Sequence, residues 1–509
     1  MKLNTSTDPQ VGYRPPGTLP PDPLGRYRGH FGARQAAHLL RRAGFGGTLS
    51  EIDRVVGAGL DAALETVLHP RDPDVALPDA PDAHDLYNIE LRIRTQAAQM
   101  WWLNRMLQTR HPLTEKMALF WHGHFATGLI GNKMEPFQMM AHIKLFQAEG
   151  VGNFRTLLRA VTYDPAMLIW LDNRKNVAAH PNENYARELM ELFTLGLGNF
   201  TESDVKNGAR GLTGITIAPG NRVVFRPDLH DDGFKTFLGR TGRFGPDDIV
   251  DIVVQQRAHS RFLCRKLLEF FVYSDPEPAL IEELARVYAV SGLDIGQTVG
   301  TILRSNVFFS PRAYRALPKS PIEFVIGLQR FMQFPQAPLE TITWLTKMGQ
   351  IPLKPMTVKG WDGGPTWVNT TTMLARMNYV NQVTHARIAR TKPLDNGSMS
   401  APMKAAPLAS VMTGTTVKTM PQVPGNLASM VQPGDVIAAA GGFAAERVLD
   451  AMLAGIVQHD VTSDVQSTLL GFLEGRRTDN PQPFGPETYE LRTRGLLALV
   501  ATLPANHLN

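Results

Sequence analysis

Apolar residues recur three and four positions apart through most of this chain, in runs bracketed by Gly and Pro. That spacing matches the 3.6-residue helical turn and gives each segment one apolar stripe to bury against a neighbour. It holds over Leu39–Phe45, over Glu51–Leu68, and over Leu91–Leu107 with Met100, Trp101, Leu103 and Leu107. Pro112 opens another helix through Leu113, Met117, Phe120 and Trp121. Pro246-Asp247-Asp248 reads as a helix start, with Pro in the first turn and acids at the positive end of the dipole. Ser320-Pro321-Ile322-Glu323 has the spacing of a capping box before Phe324–Met332. The expectation is a mainly α fold, a large multi-helix globular domain. One stretch departs from it: the β-branched alternation of 214–218 and 222–225 around Pro219-Gly220-Asn221 predicts a small β-hairpin near 214–225.

Composition divides the chain further. Residues 1–30 read as a Pro-rich N-terminal arm and 31–390 as the main helical domain. Residues 391–442 are a low-complexity Pro/Met/Ala/Ser/Thr excursion or linker without an aromatic side chain, too poor in apolar area to offset its ordering entropy. Residues 443–509 return to helical spacing and are expected to pack back on the main domain. Against 52 Lys and Arg stand 47 Asp and Glu, with no basic tail or stripe, so nucleic acid is not an expected partner. The single cysteine, Cys264, excludes an internal disulfide and a multi-cysteine metal site. It lies on an amphipathic segment and reads as a buried structural thiol. No apolar run reaches membrane-spanning length, and the first thirty residues show no signal-peptide core. As written, the chain reads as cytoplasmic.

Four segments could carry chemistry. In His180–Gly196, helical projection puts Tyr185, Leu189, Leu192 and Phe193 on one stripe and Asn184, Glu188 and Glu191 on an adjoining face. Glu183 and Arg187 sit beside each other on the next face. Two carboxylates a turn apart suit acid/base work or metal ligation, and a solvated face with ordinary ion pairs has the same pattern. In Phe120–Phe125, His122 and His124 converge on a metal only if the helix unwinds at Gly123; the alternative is a helix end favouring His. In His230–Lys235, Asp231 could orient His230 and Lys235 could bind an anion, or the segment is a polar turn. In Lys359–Asn369, Gly-rich backbone between Trp361 and Trp367 makes either a stacking platform for flat substrates or a sealed corner of the core. Gly-x-Ser-x-Gly, His-Glu-x-x-His and a phosphate-binding loop are absent.

These segments, in this order, resemble a large bacterial family catalogued as domain-of-unknown-function family 1800. The resemblance rests on His38–Gly46, Trp121–Phe125, Asn182–Glu191, Ala209–Gly214, His230-Asp231 with Lys235–Gly239, Gly349-Gln350 through Asn369, Leu374–Asn378 and Gly495–Val500. It implies a largely helical protein, commonly exported, often encoded beside a sulfatase- or phosphatase-like companion, and so a periplasmic setting. It also implies one shared site built from His122, His124, Glu183, Glu188, Glu191 and His230. The chain departs from the family pattern at Phe193, where a histidine is usual.

The reading that follows is a hydrolase-type enzyme acting on a glycan or ester-bearing polymer. Glu188, Glu191, Arg187 and Glu183 are its candidate catalytic residues. Trp361, Trp367, Asn369, Lys359 and Asn184 are its candidate substrate contacts, and His122, His124 and His230 its candidate ligands for a divalent metal. The cofactor is otherwise unknown. The alternative is a non-catalytic helical scaffold or escort for the sulfatase-like partner. A third reading is a haem or copper redox protein, with the methionines of 391–442 as copper donors.

Overall fold

The computed structural model describes residues 18–70, 77, 79–81, 89–131, 133–384, 432–476 and 483–509. The Pro-rich start up to residue 17, residues 391–431 and the methionines they hold lie outside the described residues. The remainder is mainly α, as the spacing predicts, with two small antiparallel hairpins. Pro112–His124 and Pro246–Val254 both start with Pro in the first turn. Ser320 accepts from the Glu323 amide at 3.2 Å while the Glu323 carboxylate accepts from the Ser320 amide at 2.7 Å, which completes the capping box. The predicted hairpin pairs Ile215–Ala218 with Arg222–Phe225, Ile215 opposite Phe225. A second one, Lys235–Phe237 with Arg240–Gly242, is too short to show alternation in the sequence.

Among the described residues the core is one large body of buried apolar side chains, with a small separate cluster of Ala36, Ala37 and Ile52. Trp101, Trp102 and Trp121 are its largest members, and Cys264 is buried in it. Leu91–Gln108, Pro112–His124 and Pro136–Glu149 pack together at its centre, and Pro321–Phe331 lies across Leu91–Gln108. The C-terminal helix Tyr489–Ala501 packs on Thr370–Thr384, so residues distant in sequence share this core. Before the first helix, Arg26 bridges to Ser305 and the Tyr27 amide donates to Arg304 O at 2.8 Å. Of residues 391–442 only 432–442 is described, and it contains the helix Pro433–Ala439. No described helix is long and apolar enough to cross a membrane.

Candidate acid–base site

The helix carrying the histidine pair does not unwind at Gly123. It runs from Pro112 to His124, and the Phe125 amide closes it by donating to Trp121 O at 2.7 Å. Two residues apart on a continuous helix, the two imidazoles leave in different directions. His122 is fully buried among Trp102, Trp361 and His142, with ring centroids 5.4, 5.3 and 6.3 Å away. Neither of its ring nitrogens has a hydrogen-bond partner among the described residues. Burial, and secondarily His142, holds its pKa well below the usual histidine value, so the ring is neutral. His124 places Nε2 3.0 Å from Phe193 O, and burial with Lys266 nearby lowers its pKa strongly as well.

His230 lies elsewhere, after the first hairpin, with Nδ1 3.0 Å from both Thr213 O and Thr213 Oγ1. Asp231 does not orient it. That carboxylate takes Arg210 Nε at 2.6 Å, and these hydrogen bonds lower its pKa. Lys235 is buried and donates to the carbonyls of Asp231 and Gly233, so it has no free ammonium for an anion. No group of three or more His, Cys, Asp or Glu among the described residues is placed to hold a metal ion. The expected shared histidine–glutamate site is therefore not assembled as one cluster.

The carboxylate segment behaves differently. Asn182 Oδ1 accepts from the Asn184 amide at 3.0 Å, and the Asn182 amide donates to Asn176 Oδ1 at 2.8 Å. The helix Asn184–Glu188 then widens into π-turns over Leu189–Thr194, ended by Gly196 at φ +77°. Such bulges are rare and recur at functional sites. Tyr185, Leu189 and Phe193 face the core, with Phe193 5.2 Å from the Phe125 ring and 6.1 Å from that of His124. Phe193 thus packs into the aromatic core beside His124.

Arg187 and Glu183 are engaged within the protein. Arg187 grips Glu202 with two bonds of 2.7 and 2.8 Å and reaches Glu183 at 3.2 Å. Arg187 therefore does not present a free guanidinium to a substrate carboxylate. Glu188 and Glu191 differ: both are half-buried, and neither carboxylate has a hydrogen bond or ion pair among the described residues. Desolvation, then the charge of Glu191, raises the pKa of Glu188, and Arg187 and Lys359 oppose the shift. Glu191 and Lys359 are thus each within electrostatic reach of Glu188.

Lys359 arrives on the Gly-Trp loop. Gly360, at φ +89°, lies directly on Gly123 O, where only a residue without Cβ fits. This contact seats Trp361 against His122, leaving Trp361 Nε1 buried without a partner among the described residues. Trp367 is half-buried and Lys359 exposed. Asn369 acts locally, as a cap on Thr370–Thr384. Its Oδ1 accepts from Thr372 N at 3.0 Å and its Nδ2 donates to Thr366 O at 2.9 Å. Asn184 is exposed at the start of its helix.

A family model described as "Protein of unknown function (DUF1800)" matches residues 38–506. The chain belongs to this family. No curated protein and no solved structure gives a significant match. The DUF1800 match spans the helix end at Trp121–Phe125, the π-turn segment and the Gly-Trp loop, which the fold gathers around Gly123 and Glu188.

One pair within the DUF1800 match escapes sequence reasoning. His142 Nδ1 lies 2.8 Å from Asp164 Oδ1 and its Nε2 3.3 Å from Phe125 O, all buried. Asp164 also caps Pro165–Trp170 by accepting from Met167 N at 3.1 Å. Asp before Pro signals that cap; the distant imidazole carries no local signal.

Proposed function

We propose that the protein is a hydrolase-type enzyme whose acid–base pair is Glu188 and Glu191. The observation that carries this reading is that both carboxylates are half-buried with no partner among the described residues, while the other acid of the segment, Glu183, is paired with Arg187. Glu188, with its raised pKa, is suited to donate a proton to a leaving group. Glu191 serves as the second carboxylate, the base or nucleophile. Lys359 offers a charge to an anionic substrate, and Trp361 and Trp367 offer aromatic faces, which favours a glycan or ester-bearing polymer. A divalent cation would find Glu188 and Glu191 as ligands, and substrate or water would have to supply the rest.

The test is turnover by the purified full chain on polysaccharides and on acylated polymers, assayed by reducing-end and acid release. Glu188→Gln and Glu191→Gln should each lower kcat by about a hundredfold or more while the protein stays folded. Full activity in Glu188→Gln refutes the proposal.

The scaffold reading draws on a different observation: His124, Glu183, Arg187 and Asp231 all close structural contacts. It predicts stable co-purification with a sulfatase-like partner, no turnover by the chain alone, and complex formation that persists in Glu188→Gln.

A further inference from the structure

The most deeply buried charge in this protein is cationic and largely uncompensated. Arg41 and Arg42 end the helix Ala33–Arg42, Lys116 comes from Pro112–His124, and Arg376 from Thr370–Thr384. Arg315 and Lys319 precede Pro321–Phe331. All six side chains are at least nine-tenths buried. Two side-chain carboxylates face them, Glu323 against Lys116 and Asp460 against Arg315, which leaves four of the six cations without a carboxylate side chain of their own among the described residues.

Amides and carbonyls take some of the donors. Arg42 reaches Val272 O and Ala313 O at 2.9 Å, Arg376 reaches Lys319 O at 2.7 Å, and Lys319 Nζ reaches Asn506 Oδ1 at 2.9 Å. Arg41 donates to Gln458 Oε1. Yet Nε and Nη2 of Arg41, and Nε and Nη1 of both Arg42 and Arg376, have no acceptor among the described residues. Burial lowers the Arg41 guanidinium to about 10 and that of Arg42 to about 9. It also lowers the Lys319 ammonium well below its ordinary value, and Arg41, Arg315 and Arg376 push it further. Buried donors and charges left in this state are costly; the Phe324 ring under Arg376 at 4.9 Å and the Tyr314 ring near Arg41 at 5.7 Å offset only part of that cost.

A cavity of about 40 Å³ lies beside these groups, with Arg41, Lys319, Glu323, Gln458, Asn506 and the buried Asn509 as its polar lining. That is room for about three waters or one small tetrahedral ion, and too little for an organic phosphate. The Glu323 carboxylate in the wall is already used, by Lys116 on one oxygen and by the Ser320 amide, at 2.7 Å, on the other. Guanidinium donors in a fixed planar fork match the oxygens of phosphate or sulfate.

We propose that this cavity is a binding site for a tetrahedral oxyanion, phosphate or sulfate, held by Arg41 and Lys319 with Gln458 and Asn506 as polar neighbours. The bound ion neutralises part of the cluster. It also ties the helix Ala33–Arg42 to Pro321–Phe331 and to the C-terminal segment carrying Gln458 and Asn506. The site shares no residue with the Glu188 face, so it stands or falls independently of the proposed hydrolase activity.

The test uses the full chain, exchanged into chloride buffer and titrated with inorganic phosphate and, separately, sulfate at ionic strength matched with sodium chloride. Calorimetry should show one saturable equivalent per chain, and the unfolding temperature should rise beyond the chloride control. Lys319→Met should weaken binding at least tenfold. In chloride alone the same variant should be as stable as the parent or more so, because it removes an uncompensated buried charge. A stronger response to phosphate, to sulfate or to both equally identifies which oxyanion the site prefers, and each supports the site. No response beyond chloride, or an equal response in Lys319→Met, overturns it. Should that variant not fold, equilibrium dialysis of the parent against labelled phosphate and labelled sulfate decides the matter by stoichiometry alone.

Discussion

Gly360 rests on the carbonyl oxygen of Gly123, so closely that a Cβ on Gly360 would stand 2.2 Å from it. Its φ of +89° also disfavours any side chain. Gly360→Ala should therefore destabilise the protein by about 1–3 kcal/mol from backbone strain, with the steric overlap adding to that. Gly364→Ala, at φ +54° with open space around the new Cβ, should show the backbone cost alone. Urea unfolding midpoints compare the two, and an equal loss would contradict the close approach.

The raised pKa of Glu188 makes a signed prediction about pH. Desolvation and Glu191 raise the folded-state value above the ordinary 4.5, so the folded state keeps this proton while the unfolded state has lost it. Stability from this group falls as pH rises through that window. Glu188→Gln removes the penalty. Its unfolding temperature relative to the parent should increase as pH rises above 4.5 and then level off, and a constant difference would contradict the shift.

Buried histidines carry the opposite dependence. His38, His122 and His124 are held well below 6.5, His259 is pushed down to about 4 and His507 to about 3, each by burial first. The unfolded chain protonates first, so stability should fall as pH drops below 6.5, by up to about 1.4 kcal/mol per pH unit for each ring. His122→Phe should lessen that acid sensitivity at small cost, because the His122 ring nitrogens have no hydrogen-bond partner among the described residues. His124→Phe should cost about 1–3 kcal/mol at pH 7 because it abandons Phe193 O in the core. Urea midpoints against pH separate them; equal behaviour would refute the assignment.

Lys116 and Glu323 form the buried pair at the centre of the cationic cluster. Breaking either partner should cost about 3–5 kcal/mol. Glu323→Gln should be the worse, since Glu323 also stabilises the charges of Arg42 and Arg376. The double variant Lys116→Met/Glu323→Gln should lose less than the two losses added together, measured as a double-mutant cycle in chemical denaturation. Strict additivity would refute the coupling.

Local residue order carried much of the architecture. The helix starts at Pro112, Pro246 and Ser320 and the hairpin at 215–225 follow from capping chemistry, proline geometry and β-branched alternation. The common face of Glu188 and Glu191 follows from helical projection. Which acids of that segment stay unpaired does not: Arg187 is taken by Glu202, fifteen residues on, and no periodicity within the segment reveals that bond. The continuation of the helix through Gly123 was equally hidden, because the surrounding core outweighs a single glycine's weak propensity. Asn369 read as a substrate contact although its amide serves the following helix, as Asn at a loop–helix junction commonly does.

By itself, the sequence determined a mainly α chain with one predicted hairpin and two glutamates on one helical face, because these depend on turns and periods within a few residues. Only the tertiary structure decided that Gly360 docks on Gly123, that His142 finds Asp164, and that Arg41 and Lys319 meet at one cavity. Those outcomes depend on charge and volume brought together from segments between 22 and more than 200 residues apart. In a low-dielectric core, the worth of each charge is set by which partners arrive there and which do not.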